Sequence, residues 1–317
     1  MKNKDYHSHD FAPIVLFAYN RPEHLSKTLS ALANNPEFSL SPLFIYCDGA
    51  KRSSDQVNVN KTRVIANQFP HPNKVVIEST LNLGLAASVI QGVTQITNKY
   101  GRIIVLEDDL IVDVYFLKFL NQALNQYENN SKVMQISAYM FPIPIFSQRA
   151  TSLLLPNISS WGWATWRRAW KNFDPTSTGW ELLLNNKAMR QEFDVGGSYA
   201  YSDMLFRQVL GEIDSWAIRW NWSVYLCSGL VLYPPVSLVK NIGFDGSGTH
   251  CAALDIDEVK FSSGIKDIKF PEDVRRSKED LFHIEAALKK LSGPSYIRFL
   301  KSIANNFRRL RLRHNFL

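Results

Sequence analysis

Short apolar segments alternate with longer helical segments through the first 140 residues, and this alternation limits the possible folds of the chain. The apolar segments have the length of buried strands, and the segments between them carry apolar residues at helical spacing. Such alternation predicts an α/β fold with a largely parallel sheet covered by helices on both faces. The predicted strands are 14–18, 43–47, 74–78, 103–106 and 133–137, and the predicted helices are 22–34, 56–69, 85–99 and 114–127.

The fourth apolar segment ends in three adjacent carboxylates, Glu107, Asp108 and Asp109. Ionised carboxylates near a core need cations or hydrogen-bond donors to balance them. Ligands of open α/β sheets bind beyond the carboxyl ends of the strands, where this triplet is expected to lie. We therefore predict a divalent metal that holds a phosphate. The alternative is a solvated acidic turn that caps the helix over 114–127.

Bulk composition predicts a folded protein of the cytoplasm. The 317 residues are 45% hydrophobic and 12% aromatic, enough for a core in one large domain or two smaller ones. No apolar run approaches the roughly 20 residues of a membrane span, and the first residues lack the apolar centre of a secretion signal. The widely spaced Cys47, Cys227 and Cys251 predict reduced thiols rather than disulfides or a zinc site.

The positive charge is concentrated near the end of the sequence. The formal charge is +7, and residues 296–317 contain six arginines and lysines without an acid. Apolar residues there recur at spacings of three and four, which predicts a helix with one apolar and one basic face. This helix would either bind an anionic membrane surface or dock on the domain with its arginines in water. Nucleic acid is not expected as a partner, because no reading motif accompanies the charge.

Beyond about residue 140 the alternation ends and aromatic residues become dense. Trp161 and Trp163 flank a glycine in a loop with two serines, where two indoles are poorly placed to be buried together. Rigid aromatics with a polar handle often line binding sites, and indoles stack on sugar rings. We therefore predict that Trp161 and Trp163 bind the sugar of an acceptor or donor, the alternative being that they belong to the core.

Seven short motifs follow one another at strand ends and in the later loops. They are Phe17-Ala18-Tyr19-Asn20-Arg21, Tyr46-Cys47-Asp48-Gly49, Val105-Leu106-Glu107-Asp108-Asp109, Gln135-Ile136-Ser137-Ala138-Tyr139, Ser160-Trp161-Gly162-Trp163, the segment 213–219 and the segment 241–250. In this order and spacing they resemble the GT-A fold glycosyltransferases. The resemblance is to the family of alpha-1,3-mannosyl-glycoprotein 2-beta-N-acetylglucosaminyltransferase with its bacterial relatives in surface polysaccharide synthesis.

The resemblance implies a GT-A type nucleotide-sugar fold and an inverting transfer from a UDP-sugar, with UDP-GlcNAc as a candidate donor. The acceptor would be a glycan or a lipid-linked sugar. Asp109 would bind the metal, Mn²⁺ or Mg²⁺, since a hard divalent ion accepts carboxylate and phosphate oxygens. Arg21 and Asp48 would line the nucleotide pocket, with Asp48 receiving the uracil edge. Glu107 and Asp108 would approach the ribose and the donor sugar.

An inverting transfer also needs a base for the acceptor hydroxyl. The family places an aspartate directly before a tryptophan, and Asp214, two residues before Trp216, is the nearest match. Ser215 occupies the family position, so Asp203 stays open as a second candidate. A structural alternative is that Asp214 caps a helix or pairs with Arg219.

The same resemblance divides the chain into a flexible N-terminus over 1–12, a nucleotide-sugar-binding half over 13–140 and an acceptor-binding, catalytic half over 141–292. The basic helix would occupy 293–317. Gly243, Gly246 and Gly248 predict a mobile loop that closes over the donor, and His250 would then touch the diphosphate. The enzyme would act in the cytoplasm, on the inner face of the membrane where the acceptor is lipid-linked.

Two other function classes remain open. A nucleotidyltransferase that makes sugar nucleotides would need a glycine-rich loop after the first strand, and Ala18-Tyr19-Asn20-Arg21-Pro22 has no glycine. A sugar-binding module without catalysis would use the tryptophans and leave the acids structural. Dehydrogenase and P-loop functions are excluded, because their glycine motifs are absent from the sequence.

Overall fold

A computed structural model describes residues 11–245, 267–291, 304, 305 and 308–312. The predictions for residues 1–10, for His250 with its neighbouring glycines Gly246 and Gly248, and for most of the basic segment 293–317 lie outside the described residues.

The centre of the fold is an eight-stranded sheet, with a separate two-stranded sheet beside it. The larger sheet contains β1 (Ile14–Ala18), β2 (Leu43–Cys47), β3 (Lys74–Glu78), β4 (Arg102–Glu107), β6 (Val133–Ser137), β7 (Leu153–Leu155), β8 (Trp163–Trp166) and β9 (Leu230–Tyr233), and the smaller sheet contains β5 (Leu110–Val112) and β10 (Val239–Asn241). The strand order is β3-β2-β1-β4-β8-β6-β9-β7. Strands β1 to β4 are parallel neighbours, whereas β8 runs antiparallel to both β4 and β6. The predicted α/β architecture with a mostly parallel sheet is confirmed.

Helices connect these strands as the alternation predicted in the first half. They are α1 (Pro22–Ala33), α2 (Gln56–Gln68), α3 (Leu85–Tyr100), α4 (Phe116–Gln126), α5 (Arg167–Trp170), α6 (Leu182–Asn185), α7 (Lys187–Phe193), α8 (Tyr201–Val209), α9 (Trp216–Leu226) and α10 (Lys278–Leu291). Strand β1 is buried along its whole length, and so are the four central residues of β4. Their continuous apolar sequences follow from this burial on both faces of a parallel sheet.

The predicted helix cap at the acidic triplet is wrong. After Asp109 the chain forms β5, which pairs antiparallel with β10, and α4 begins only at Phe116. A three-residue strand carries too weak a periodicity to be recognised locally, and its partner lies far along the chain. This pairing brings the residues after β10 onto Asp109.

Described residues of the basic segment contact the second half of the chain. Leu312 is fully buried in a cluster with α6, α8 and α9. Arg308 pairs with Asp203 and, at 3.3 Å, with Glu212. Arg311 reaches Glu212 at 3.4 Å. These contacts are those of the docked-helix alternative, and they use two of the basic side chains that a membrane-bound face would present.

No helix in the described ranges is both long and apolar enough to cross a membrane.

Candidate functional site

Three parallel strands end at one edge of the sheet, and the predicted site residues follow those ends. Phe17 of β1 lies between Tyr46 of β2 and Glu107 of β4 in the strand register. The chain positions directly after these strands therefore share one edge, as open α/β sheets require of a ligand crevice. This edge holds Arg21, Asp48 and the acidic triplet.

Asp108 and Asp109 are buried, with 3% and 7% of their surface exposed, and Glu107 is partly buried. The Tyr19 backbone N–H donates to Asp108 Oδ2 at 3.2 Å. The Thr28 hydroxyl on α1 donates to the Asp108 carbonyl at 2.7 Å. The triplet is thus held against β1 and α1, which excludes the interpretation as a freely solvated acidic turn.

Arg21, the residue before α1, supplies positive charge to this cluster. Its Nη2 atom lies 3.1 Å from Asp108 Oδ1 and 3.0 Å from Asp109 Oδ2. One guanidinium nitrogen therefore bridges two carboxylates. The other terminal nitrogen, Nη1, is buried and finds no hydrogen-bond partner in the part of the chain that the structure describes.

Burial and mutual repulsion shift the titration of the triplet. Burial, with the charges of Asp109 and Asp108, raises the pKa of Glu107 to about 8. Burial also raises the pKa of Asp108 to about 6, although Arg21 acts in the opposite direction. Desolvation of this kind disfavours charged carboxylates, and a nearby cation favours them. The single arginine does not balance the negative charge of the cluster.

Asp109 has an oxygen that is available for a ligand. Its Oδ1 atom is buried and has no hydrogen-bond partner among the described residues, an arrangement rare for a buried polar group. A carboxylate oxygen is a ligand that Mn²⁺ and Mg²⁺ accept. No group of three or more histidine, cysteine, aspartate or glutamate side chains among the described residues forms a ready metal cage. The residues therefore fit an ion that takes one ligand from Asp109 and the rest from phosphates and water.

Gly243 covers the Asp109 carboxylate, a role that the sequence did not reveal. The Ile242 backbone N–H donates to the Asp109 carbonyl at 2.8 Å, directly after β10. A Cβ atom at position 243 would overlap Asp109 Oδ2 and lie 2.9 Å from Arg21 Nη1. Gly243 and Asp109 are far apart in sequence, so no local pattern predicts their contact.

We expect Gly243→Ala to disrupt the site, because the added methyl group would displace a short, buried carboxylate from Arg21. Overpacking in a filled site costs about 1–3 kcal/mol. Differential scanning fluorimetry should show a lower Tm, and the response of the Tm to MnCl₂ with UDP should be reduced.

Gly211→Ala serves as the control. Gly211 has a positive φ of 71° but open space around it, so the substitution introduces backbone strain without touching the site. A full ligand response in Gly243→Ala would show that the close approach at Asp109 is not required.

Asp48 accepts four hydrogen bonds from its own chain, with which the predicted uracil edge would have to share the carboxylate. Its Oδ1 accepts from the backbone N–H groups of Gly49 at 2.9 Å and Leu83 at 2.8 Å. Its Oδ2 accepts from Asn82 Nδ2 at 3.1 Å and the Gly84 N–H at 2.9 Å. An ionised carboxylate has about four lone-pair positions. Asp48 therefore holds the loop that leads into α3.

Trp163 does not form the predicted sugar platform. It belongs to β8, its exposed fraction is 0%, and its ring stacks on Trp216 at 5.1 Å. The residue is buried because β8 inserts between β4 and β6, a pairing that sequence patterns do not reveal. Trp161 remains partly exposed and packs edge-on against Tyr139 at 4.5 Å and Phe244 at 5.5 Å.

Both candidate bases are paired with arginines. Asp214 Oδ1 lies 2.7 Å from Arg219 Nη2, and 68% of its side chain is exposed. The side chain of Ser215, rather than that of Asp214, caps α9. Asp203 is engaged by Arg308 with only 15% of its side chain exposed, which disfavours it as a base.

The start of α9 packs toward this end of the sheet. Trp216 stacks on Trp163, which pairs with Val105 of β4, two residues before the acidic triplet. The structure thus brings Arg21, Asp48, the triplet and Trp161 to one end of the sheet. Asp214 contacts Arg219, and His250 lies outside the described residues.

Comparisons with known proteins give weak similarities. No protein-family model matches this chain, and no curated protein matches it. A mannosyltransferase from Pyrobaculum calidifontis in complex with GDP-mannose and Mn²⁺ is 11% identical, with 72% of this chain and 77% of that chain covered and a TM-score of 0.36. Mouse xyloside xylosyltransferase 1 is 12% identical, with 67% and 80% covered and a TM-score of 0.33.

A cytidylyltransferase from Leptospira borgpetersenii is 14% identical over 51% of this chain, with a TM-score of 0.33. The match spans 63% of that chain, less than two-thirds of its length. Similarities at this level do not identify the activity of the present chain.

Proposed function

We propose that this chain is a metal-dependent glycosyltransferase that moves a sugar from a UDP-sugar to a glycan or lipid-linked acceptor. The observation that carries the proposal is the buried, unpartnered Oδ1 of Asp109 at the carboxyl end of β4, with Arg21 and Asp108 beside it. The strand-end motifs that resemble GT-A glycosyltransferases supply the substrate class. Such an enzyme would act in the cytoplasm, where precursors of surface polysaccharides are assembled.

Asp109 would hold the metal, Mn²⁺ or Mg²⁺, through its free oxygen. The bound ion would neutralise charge that develops on the departing diphosphate. Arg21 has an unpartnered nitrogen that can donate to a phosphate oxygen. Asp48 orders the loop at the start of α3, so that its backbone is fixed before a nucleotide binds.

Trp161 would contact the sugar at the end of the sheet that holds Asp109. Tyr139 and Phe244, which pack against its ring, would complete an aromatic surface. Trp163 would have an indirect role, because its buried ring supports Trp216 and hence the start of α9. Asp214 precedes that helix and would accept the proton of the acceptor hydroxyl, while Arg219 balances its charge.

The binding of UDP tests the proposal. Isothermal titration of the protein with UDP should give strong binding with MnCl₂ and at least tenfold weaker binding with EDTA, as expected if a divalent ion held by Asp109 contributes to diphosphate binding. GDP and CDP, which carry the same diphosphate on a different base, serve as controls for recognition of uracil. Metal-independent glycan binding without nucleotide binding would instead support a sugar-binding module, and the absence of any nucleotide response would reject the proposal.

We expect Asp214→Asn to fold normally and to lose transfer, because asparagine cannot accept the proton. General-base catalysis contributes about 10²–10⁴-fold to a rate. Single-turnover assays with the UDP-sugar that the unmodified protein transfers should show this loss, with the affinity for UDP unchanged. Asp203→Asn is the matched control, and turnover near that of the unmodified protein in Asp214→Asn would remove Asp214 from the mechanism.

A further inference from the structure

Arg21 contacts the Oδ2 atom of Asp109 in an arrangement that satisfies neither partner completely. A guanidinium and a carboxylate usually pair through two parallel hydrogen bonds. Here the single Nη2 atom serves Asp108 at 3.1 Å and Asp109 at 3.0 Å. Within residues 11–245 and 267–291 and the described positions near the end of the chain, neither Arg21 Nη1 nor Asp109 Oδ1 has a hydrogen-bond partner, and both atoms are buried. One donor atom of Arg21 and one acceptor atom of Asp109 are thus left for other partners.

The charges of the site also indicate that Arg21 does not satisfy the carboxylates completely. The carboxylates of Glu107, Asp108 and Asp109 face Arg21, and the nearby His24 lies 3.2 Å from Asp245. The carboxylates of Asp108 and Asp109 share a single guanidinium nitrogen. A divalent cation at Asp109 Oδ1 would add positive charge to a carboxylate that Arg21 already contacts through Oδ2.

We propose that Arg21 is an internal counter-ion that competes with the divalent cation for Asp109 and changes partner when the nucleotide diphosphate binds. The inference rests on the proposed function. In the ligand-free protein Arg21 holds Asp109 and Asp108 together. When a diphosphate binds, Arg21 donates to phosphate oxygens instead and leaves Asp109 to the cation.

The backbone of Arg21 permits this change without unfolding the helix. Its carbonyl accepts the Leu25 N–H at 3.0 Å and thereby fixes the start of α1. The guanidinium lies at the end of a long, flexible side chain of which 19% is exposed. Only side-chain torsions need to change.

The competition has a consequence for binding. A diphosphate that attracts Arg21 makes metal binding stronger, and by linkage the metal makes nucleotide binding stronger by the same factor. Removing Arg21 should therefore tighten the binding of the metal alone, the reverse of what a supporting structural residue would do. It should also remove much of the coupling between metal and nucleotide.

Calorimetric titration with MnCl₂ tests this inference in the unmodified protein, Arg21→Gln and Arg21→Lys, each with and without UDP. Without UDP, Arg21→Gln should bind Mn²⁺ about tenfold more tightly than the unmodified protein, within the usual range of coupling between sites. Arg21→Lys keeps the competing charge and should bind Mn²⁺ as weakly as the unmodified protein. Arg63→Gln removes a positive charge that pairs with Glu78 instead, and should leave Mn²⁺ affinity unchanged.

The inference is overturned if Arg21→Gln binds Mn²⁺ equally or more weakly than the unmodified protein while its thermal unfolding remains cooperative. The proposed function would not be affected by that result, because it depends on the response of the unmodified protein to UDP. If Arg21→Gln does not fold, Arg21→Ala takes its place, and without UDP this variant must bind Mn²⁺ more tightly than the unmodified protein. An unmodified protein that binds neither Mn²⁺ nor UDP overturns both this inference and the proposed function.

Discussion

Replacing Asp109 with asparagine is expected to abolish manganese-dependent UDP binding and sugar transfer without weakening the fold. Asparagine keeps the shape of the side chain but removes the charge that Oδ1 offers to a cation. A metal Lewis acid supplies several kcal/mol of transition-state stabilisation, so turnover should fall by at least about 100-fold.

The stability of Asp109→Asn should be equal to or above that of the unmodified protein in EDTA. The substitution removes one of three neighbouring carboxylates, whose repulsion and burial raise the pKa of Glu107 to about 8. It also weakens the contact with Arg21, which retains Asp108 at 3.1 Å. Function and stability are therefore opposed at this residue, as is frequent in active sites. Thermal unfolding in EDTA measures this directly.

Asp113→Asn is the control for Asp109→Asn. Asp113 follows β5, and its Oδ1 accepts the Tyr115 N–H at 2.9 Å, a bond that asparagine can also accept. This variant should keep both metal-dependent UDP binding and transfer. Manganese-dependent UDP binding that persists in Asp109→Asn would show that the cation is held elsewhere or is not used.

Replacing Asp48 with alanine is expected to give the largest loss of stability among the site variants. Four donors lose their acceptor, three of them backbone N–H groups at Gly49, Leu83 and Gly84. Hydrogen bonds to charged groups contribute about 1.5–3 kcal/mol each, but water can reach this loop and replace some of them, so we expect a total loss of about 3 kcal/mol. Urea unfolding measures this change.

Asp55→Ala and Asp48→Asn separate the role of Asp48 from a general effect of removing an acid. Among the described residues, Asp55 Oδ2 accepts from the Tyr19 hydroxyl at 2.8 Å and the Arg52 N–H at 3.1 Å, two donors against the four of Asp48, so its loss should be smaller, about 1 kcal/mol. The loss of stability in Asp48→Asn should lie between those of Asp55→Ala and Asp48→Ala, because the amide replaces one acceptor atom with a donor. Loss of UDP binding in Asp48→Ala with unchanged stability would restore Asp48 as a direct nucleotide ligand.

Much of the first half was predictable because strand and helix periodicities are local. The strands over 14–18, 43–47, 74–78 and 133–137 have the predicted bounds, and the fourth is longer by one residue at each end. Their order along the chain also predicted that Asp48 and the acidic triplet follow neighbouring strands of a parallel sheet. A run of buried residues that ends in three acids contains this information in a few consecutive positions.

The second half was less predictable, because its strands pair out of order. Strand β8 inserts between β4 and β6, and this placement buries Trp163 although a segment with two serines and a glycine precedes it. The glycine frees the backbone, as expected, but the neighbouring strand determines where the ring packs. Composition alone cannot distinguish an indole in a core from one on a binding surface.

The local sequence therefore determined the α/β framework and the edge where Arg21, Asp48 and Asp109 collect. The tertiary structure determined how each of these side chains is used: Arg21 bridges two carboxylates, Asp48 binds its own loop, and Gly243 covers Asp109. The physical reason is range. Backbone propensity and apolar periodicity act over a few residues, whereas the partner of a buried charge is whichever group the packing of distant segments brings within hydrogen-bond distance.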